Sequence, residues 1–493
     1  MQGETQKIKE ITDFCSNKKI LLTPSALSIL KERNDWKEII EELSNETILS
    51  AELIKKKIQK TKINLIEPEI IIKEKTREIK AKEIEPNYRI MDEYDVTNKS
   101  FSKGQIKDFH ECFTDKFNFL SSLLKKKHSI EAKPISKLKK AEKNDDLDLI
   151  GMISEKWVTK KGDTALKLED FEDECIALLS RNDITQEEKK FLMLDDVIAV
   201  KGKKINDEMI LVKKIYYPDV SVRKLKTIKE EIMIASISDI HVGSKLFLEK
   251  EFQKFIDWLN LKTMEEKEKQ QAEKIKYLFI LGDNVEGIGI YPTQFDELSI
   301  KDTFEQYAKL EEFLLQIPEY IEVFMIPGQH DAVRWADPRP AIPEKMMPNA
   351  SKQKNIHLLG SPSWVEIEGL KVLLYHGNSM HDLFAKVSGL TASNPNEACK
   401  QLLKRRDLMV GFGLSQVYVL EKKDYMLIRE EPDFFLTGDI HRIAIDEYNG
   451  TTIINNATWQ ERTDYQVKLG HYPTPGIAVT VDLSTRNVTK KIF

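Results

Sequence analysis

Five apolar runs in the second half of the chain stop abruptly at a carboxylate or an imidazole. The runs are EIMIASIS, KYLFILG, IEVFMIPG, KVLLYHG and DFFLTG. The polar residues that close or follow them are Asp239 and His241, Asp283, the trio Gln329, His330 and Asp331, His376, and the pair Asp439 and His441. Such runs, alternating first with helical stretches and then with shorter segments, are the pattern of an α/β layered fold. Open sheets place their ligand sites in the loops at the carboxyl ends of strands, which is where these residues fall. No GxGxxG or GxxxxGK follows any of the runs, so no glycine-rich phosphate loop is expected.

A lone loop histidine is ordinarily a structural, hydrogen-bonded residue, but five such strand ends in series point to a shared site. Mixed carboxylate and imidazole donors suit manganese, iron or zinc better than calcium or magnesium, which prefer all-oxygen shells. An Asp-x-His at a strand end aims both side chains at one ion once the backbone leaves its pleat. With Asp283 as a bridge, two ions about 3.5–4 Å apart would clamp the attacking and leaving oxygens of a phosphodiester. Water bound between them would ionise near neutral pH. The reaction class is two-metal phosphoester hydrolysis.

A chain of 493 residues should hold about three globular units. Residues 1–61 read as a small helical module, with Thr23 as an N-cap and Pro24 at the first helical position. Residues 62–104 are rich in charge and poor in large apolar side chains, as flexible linkers are. Residues 105–145 offer an amphipathic helix with Phe109, Phe113, Phe117 and Leu120 on one face, followed by a second charged linker. Residues 146–220 alternate in short segments broken by Lys-Gly and Asn-Asp turns, which predicts a small antiparallel barrel of about five strands. An OB-fold is the natural candidate, and Trp157, Lys160 and Lys161 could hold single-stranded nucleic acid on it. Packing of Trp157 on a neighbouring domain is the ordinary alternative. Residues 221–493 carry the layered pattern.

The balance of 76 basic against 81 acidic residues excludes a wholly basic nucleic-acid coat but not a local basic groove. Cys15, Cys112, Cys175 and Cys399 lie far apart with no CxxC pair, which fits neither a disulfide framework nor a thiolate zinc site. MQGETQKIKEITDF lacks the apolar core of a signal peptide, and no apolar run approaches the roughly 18 residues needed to span a bilayer. A cytoplasmic chain without a membrane partner is the expectation.

The order DxH, GD, G(N)H(D), H, GxxH over residues 231–482 resembles the calcineurin-like metallophosphoesterase superfamily. The stretches VEGIGIYPTQ, PGQHDAVRWADPRP, LLKRRDL, PDFFLTGDIHR and NNATWQERTDYQ are similar to one family within it, the small, exonuclease subunits of archaeal D-family DNA polymerases. The resemblance implies a multidomain chain: an α/β phosphoesterase sandwich preceded by an OB-fold barrel and a helical N-terminal module. It implies a metal-dependent 3′–5′ DNA exonuclease that acts on DNA 3′ ends. A large polymerase subunit would be the partner, with other replication factors recruited through the N-terminal module. Two divalent ions are implied, manganese first, with iron, zinc or magnesium as alternatives.

By that resemblance Asp239, His241, Asp283 and His441 would hold one ion, and Asp283, Gln329, His376 and Asp439 the other. His330, with Asp331 beside it, would face the scissile phosphate as transition-state stabiliser or leaving-group acid. Arg334 and Arg339 would contact DNA phosphates, unless each forms a salt bridge within the protein. The chain departs from the family pattern at three places. Gln329 stands where Asn is usual, Asp439 where His is usual, and Asp407 replaces the His of KRRHL. These changes imply altered metal preference or weakened catalysis, and with it the alternative of a non-catalytic scaffold subunit. A free-standing phosphatase would leave the barrel and the amphipathic helix unexplained.

Overall fold

The computed structural model describes residues 2–44, 47–55, 57, 79–262, 265–468 and 470–493. The chain divides into two compact units, Met1–Glu78 and Ile79–Phe493.

In the first unit the helices Gln2–Asn17, Pro24–Leu30 and Trp36–Glu42 surround a two-residue parallel ladder, Leu21–Leu22 with Ile48–Leu49. Thr23 caps the second helix by accepting from Ala26 N, and Pro24 opens it. Helices of seven residues do not persist alone in water. These are held by a shared core that includes Ile11, Leu30, Trp36, Ile40 and Leu49.

The charged stretch expected to be a linker over 62–104 is only partly describable, since residues 62–78 lie outside the described residues. Its carboxyl half is not a linker. Tyr88–Ile90 pairs antiparallel with Ser363–Ile367 as the edge strand of a sheet. Asp95 is buried, and its carboxylate accepts from Thr97 N and Gly360 N. Ala81, Met91 and Val96 are buried too. Composition averaged over the segment hid these few apolar positions, which lie between charges that point to solvent.

Residues 146–216 form a closed five-stranded barrel. Its strands are Asp146–Val158, Thr164–Glu169, Glu174–Leu179, Val197–Asn206 and Met209–Tyr216. Alternating inward residues such as Leu149, Leu166, Leu168, Ala177, Val200 and Val212 fill it. One closing pair, Glu174–Leu179 with Met209–Tyr216, is parallel, so the barrel is not purely antiparallel. Of the Lys-Gly pairs expected to be turns, Lys161-Gly162 lies at one, whereas Lys201-Gly202 lies inside a continuous strand at a β-bulge. A Cβ at Gly202 would sit 2.3 Å from Leu211 O, so the glycine serves close strand approach instead of chain reversal.

The remainder is a sandwich of two six-stranded sheets. One runs Ile356–Leu358, Glu322–Ile326, Ile275–Leu281, Met233–Ile237, Ile477–Asp482, Val488–Ile492, with the first four parallel. The other runs Ala444–Tyr448, Thr451–Asn455, Phe434–Thr437, Leu370–Leu374, Ser363–Ile367, Tyr88–Ile90. Between the sheets lie Ile234, Phe279, Phe324, Val372, Phe434 and Ile454, all fully buried. Helices Glu249–Leu259 and Thr303–Leu314 cover the outer face of the first sheet. Met380–Lys386 and Pro395–Arg405 cover the second. Coverage on both faces explains why the central strands read as continuous apolar runs.

The helix Ile106–His128 wedges between barrel and sandwich. Leu120 and Leu124 pack on Ile150, Met152 and Val197 of the barrel, while Phe109 and Cys112 join the helical layer of the sandwich. The charged stretch after this helix packs on the barrel, with Ile135 and Leu138 in the barrel core, and is not a free linker. Asp407, expected to bear on metal preference, is far from that role. It lies 2.6 Å from Lys116 of the wedge helix, and both side chains are buried. Two residues earlier, Arg405 Nε lies 2.9 Å from Asp196 of the barrel. The KRRDL stretch thus ties wedge and barrel to the sandwich.

Candidate metal centre

The carboxyl ends of both sheets open on one side, and the strand-end residues meet there. Asp239, His241, Asp283, Asp439 and His441 all have left-handed backbone, with φ between 48° and 66°. Non-glycine residues seldom adopt this conformation, which costs each about 1–2 kcal/mol. Here the strand has ended at Ile237, and the turn that follows sets Asp239 and His241 on one cavity with Ile240 buried between them. Backbone bonds lock the turn: Asp239 N donates to Gly282 O at 2.9 Å and His241 N to Asp283 O at 3.0 Å. Gly328 and Gly438 are required by proximity. A Cβ on Gly328 would lie 2.1 Å from Asp283 Oδ1, and one on Gly438 1.9 Å from Ser238 Oγ.

Donor atoms of Asp239, His241 and His441 lie within 4.8 Å of one another. His241 Nε2 and His441 Nε2 are 3.1 Å apart, and His441 Nε2 is 3.2 Å from Asp239 Oδ1. Asp239 Oδ1 has no hydrogen-bond partner. His241 is oriented from behind by Glu286, whose Oε2 lies 2.9 Å from its Nδ1. A carboxylate behind a histidine fixes the ring and raises its basicity, as outer contacts of metal-bound histidines do. This donor set fits a divalent ion.

The second position is different. His376 is ready for a ligand role: its Nδ1 bonds Leu281 O at 2.6 Å, leaving an unpartnered Nε2 3.4 Å from Asp283 Oδ2. Gln329 and Asp439, expected to complete that shell, face each other. Gln329 Nε2 donates to Asp439 Oδ1 at 2.7 Å, and its carbonyl oxygen accepts from Asn378. His381 Nε2 lies 2.8 Å from the other oxygen, Asp439 Oδ2. The expected carbonyl ligand from Gln329 is therefore not presented.

Charge in the cavity is frustrated. Burial works against protonating His376, yet Asp283, Asp239 and Asp439 outweigh it and push its pKa up to about 10. Burial alone would raise Asp283, but His376, His330 and His241 hold it well below the ordinary carboxylate range. Burial likewise opposes ionisation of Asp439, and His381 and His376 overcome it. A cation among these carboxylates does the same work as protons on the imidazoles.

His330 borders the cavity, with its N donating to Asp283 Oδ1 at 2.9 Å and its Nδ1 2.8 Å from Glu286 O. Asp331, expected beside it as a catalytic group, is turned away. Its oxygens accept from Gly328 N, Asn284 Nδ2 and Tyr307 OH at 2.8–2.9 Å, so it shapes the loops. Arg339 is fully buried, 2.8 Å from Asp337, and cannot meet a phosphate. Arg334 spends its Nε on Pro338 O at 2.8 Å and lies 3.6 Å from Glu421. Both arginines follow the salt-bridge alternative. Trp157 is half-buried on the barrel, with Lys160 and Lys161 exposed beside it. Strand-end reasoning missed Glu286, Asn378 and His381. Glu286 follows Asp283 by three residues and could have been suspected, but His381 sits on a helix and carried no signal.

Among the described residues, no helix is long and apolar enough to cross a membrane. Residues 234–444 match the family model for the B subunits of DNA polymerases alpha and epsilon. A DNA polymerase II small subunit from Methanocaldococcus jannaschii is 37% identical over 82% of this chain and 68% of its own. One from Thermoplasma acidophilum is 33% identical over 91% of both chains. A solved archaeal phosphodiesterase is 14% identical with a TM-score of 0.26, over 53% of this chain and 100% of its own, a likeness too loose to build on. The length and identity of the matches to the small subunits settle the family: the chain belongs to the DNA polymerase II small subunits.

Proposed function

We propose that the chain serves a heteromeric polymerase as a metal-dependent 3′–5′ exonuclease, cleaving the terminal phosphodiester at DNA 3′ ends beside a large polymerase subunit. The observation that carries this is the convergence of Asp239, His241 and His441 donor atoms within 4.8 Å, with His241 already oriented by Glu286. A divalent ion held there, manganese first, supplies Lewis acidity and acidifies water toward neutral pH.

The rest of the chemistry belongs to the chain. Glu286 O can only accept, so the proton on His330 sits at Nδ1 in the neutral ring, and Nε2 is the atom that takes up and gives a proton. Burial disfavours the charged ring, but Asp283 and Glu286 outweigh it and raise the His330 pKa, which suits a leaving-group acid. We read the barrel as an OB-fold that guides the strand with Trp157, Lys160 and Lys161. The N-terminal module would recruit other replication factors, in the cytoplasm.

A second reading, an inactive scaffold for the large subunit, is favoured by the mutual engagement of Gln329 and Asp439. The full complex with a labelled, mispaired 3′ end separates the two. Shortening from the 3′ end that needs manganese and disappears in His441→Ala and His330→Ala supports the nuclease; an intact substrate with every divalent metal supports the scaffold.

A further inference from the structure

We infer that this centre holds one divalent ion tightly, because a directed hydrogen-bond chain occupies the place of the second ion's ligands. The inference rests on the metal-centre reading above and goes beyond it by limiting the number of ions. The chain runs from Arg339 through Asn378 and Gln329 to Asp439, with His381 standing beside its end as an ion-pair partner.

Its direction is fixed by chemistry and does not depend on how an amide is oriented. Arg339 is a donor only, so the Asn378 atom it meets at 2.7 Å must be the carbonyl Oδ1. Asn378 therefore turns its Nδ2 toward Gln329, and the Gln329 atom that receives it must be the carbonyl Oε1. What Gln329 then offers the cavity is its NH2 group, which donates to Asp439 Oδ1 at 2.7 Å and cannot ligate a cation. Arg339 is itself anchored by Asp337 at 2.8 Å and by Trp335 O at 2.8 Å, both inside the protein, so the start of the chain cannot reverse.

Asp439 is the acceptor at the other end. Gln329 donates to Oδ1, while His381 Nε2 stands 2.8 Å from Oδ2 as an ion-pair contact. A second ion would be left with Asp283 and His376 and a share of Asp239, whose Oδ2 already accepts from Asp439 N at 3.0 Å. Of the four expected ligands Gln329 is thereby removed and one oxygen of Asp439 is engaged, and loss even of outer contacts commonly weakens metal binding by about 10–100-fold. The first position loses nothing, since none of its donors belongs to the chain of bonds.

The test is metal counting on the purified full chain, stripped of metal and titrated with manganese by calorimetry and electron paramagnetic resonance. One Mn2+ per chain with an uncoupled six-line spectrum is expected, with any second ion at least about tenfold weaker. The double variant Gln329→Asn with Asp439→His should take up two ions and show exchange coupling. Two ions of comparable affinity in the natural chain would overturn the inference while leaving the metal centre standing. No bound ion at all would overturn both. The count on the natural chain decides the matter even where the double variant does not fold.

Discussion

The ion pair between Lys116 and Asp407 sits at the junction of three layers, and removing either half should cost far more than removing both. The charges are 2.6 Å apart with side chains 2% and 4% exposed, so water cannot compensate a lone survivor. Asp407→Leu leaves an ammonium with no adjacent counter-charge at that contact, at a cost of about 3–5 kcal/mol. Lys116→Met leaves a carboxylate that can escape by taking a proton, since burial already raises the Asp407 pKa despite Lys116. Its cost should therefore be smaller in acid. A carboxyl whose folded pKa is raised contributes stability below its unfolded pKa and loses it as pH rises through the folded value. The double variant Lys116→Met with Asp407→Leu should fall within about 1 kcal/mol of the natural chain or exceed it. Urea unfolding of the four proteins, followed by circular dichroism, closes the cycle. A coupling below about 0.5 kcal/mol, or single losses that simply add, would show that the pair is solvated and the packing argument wrong.

Gly328→Ala should abolish manganese binding while the barrel and sandwich still fold, because the added Cβ would meet Asp283 Oδ1 at 2.1 Å and His376 Nε2 at 2.6 Å; calorimetry with unchanged affinity would refute this. Glu286→Gln should weaken manganese binding by about 10–100-fold through loss of the carboxylate behind His241, readable in the same titration. Burial and Asp407 raise the Asp424 pKa to about 7 from 3.8, against Lys116 and Arg429. The folded state then holds a proton that the unfolded state releases, so natural-chain stability should fall from about pH 4 to 7 relative to Asp424→Asn. A parallel pair of stability curves would contradict it.

Much of the site was legible because burial and chemistry conflict at a strand end. An Asp or His closing a run such as MIASI or KYLFIL has no packing reason to be there, and the structure does bring donors from all five runs together. The outward-facing half was not legible. Gln329 and Asp439 occupy ligand positions in the motif, but what they offer depends on Asn378 and His381, which come from a helix start and from no motif. Asp407 misled for the same reason: its partner Lys116 lies almost three hundred residues earlier, on a helix whose apolar face hides a lysine among Cys112, Leu120 and Leu124. Among the segments, the edge strand Tyr88–Ile90 was lost because three residues cannot show a period inside a charged stretch.

The repeated Asp-Ile-His makes physical sense only when the two copies are taken together. Each copy places two residues in the left-handed region, with an isoleucine between them anchored in the interior, so each turns a strand end into a fork with both tines on one side. The copies interlock: Asp439 N donates to Asp239 Oδ2 at 3.0 Å, and His241 faces His441 at 3.1 Å. Four strained residues at about 1–2 kcal/mol each would be a burden on a small domain. Here each fork follows a central strand of its sheet, backed by the closed core between the two sheets, so the fold can hold the conformation before any ion arrives. That preorganisation serves the first position fully. At the second, the carboxylate of Asp439 accepts from Gln329 and stands beside His381, whereas Oδ1 of its counterpart Asp239 has no hydrogen-bond partner, which is where the symmetry of the two forks fails.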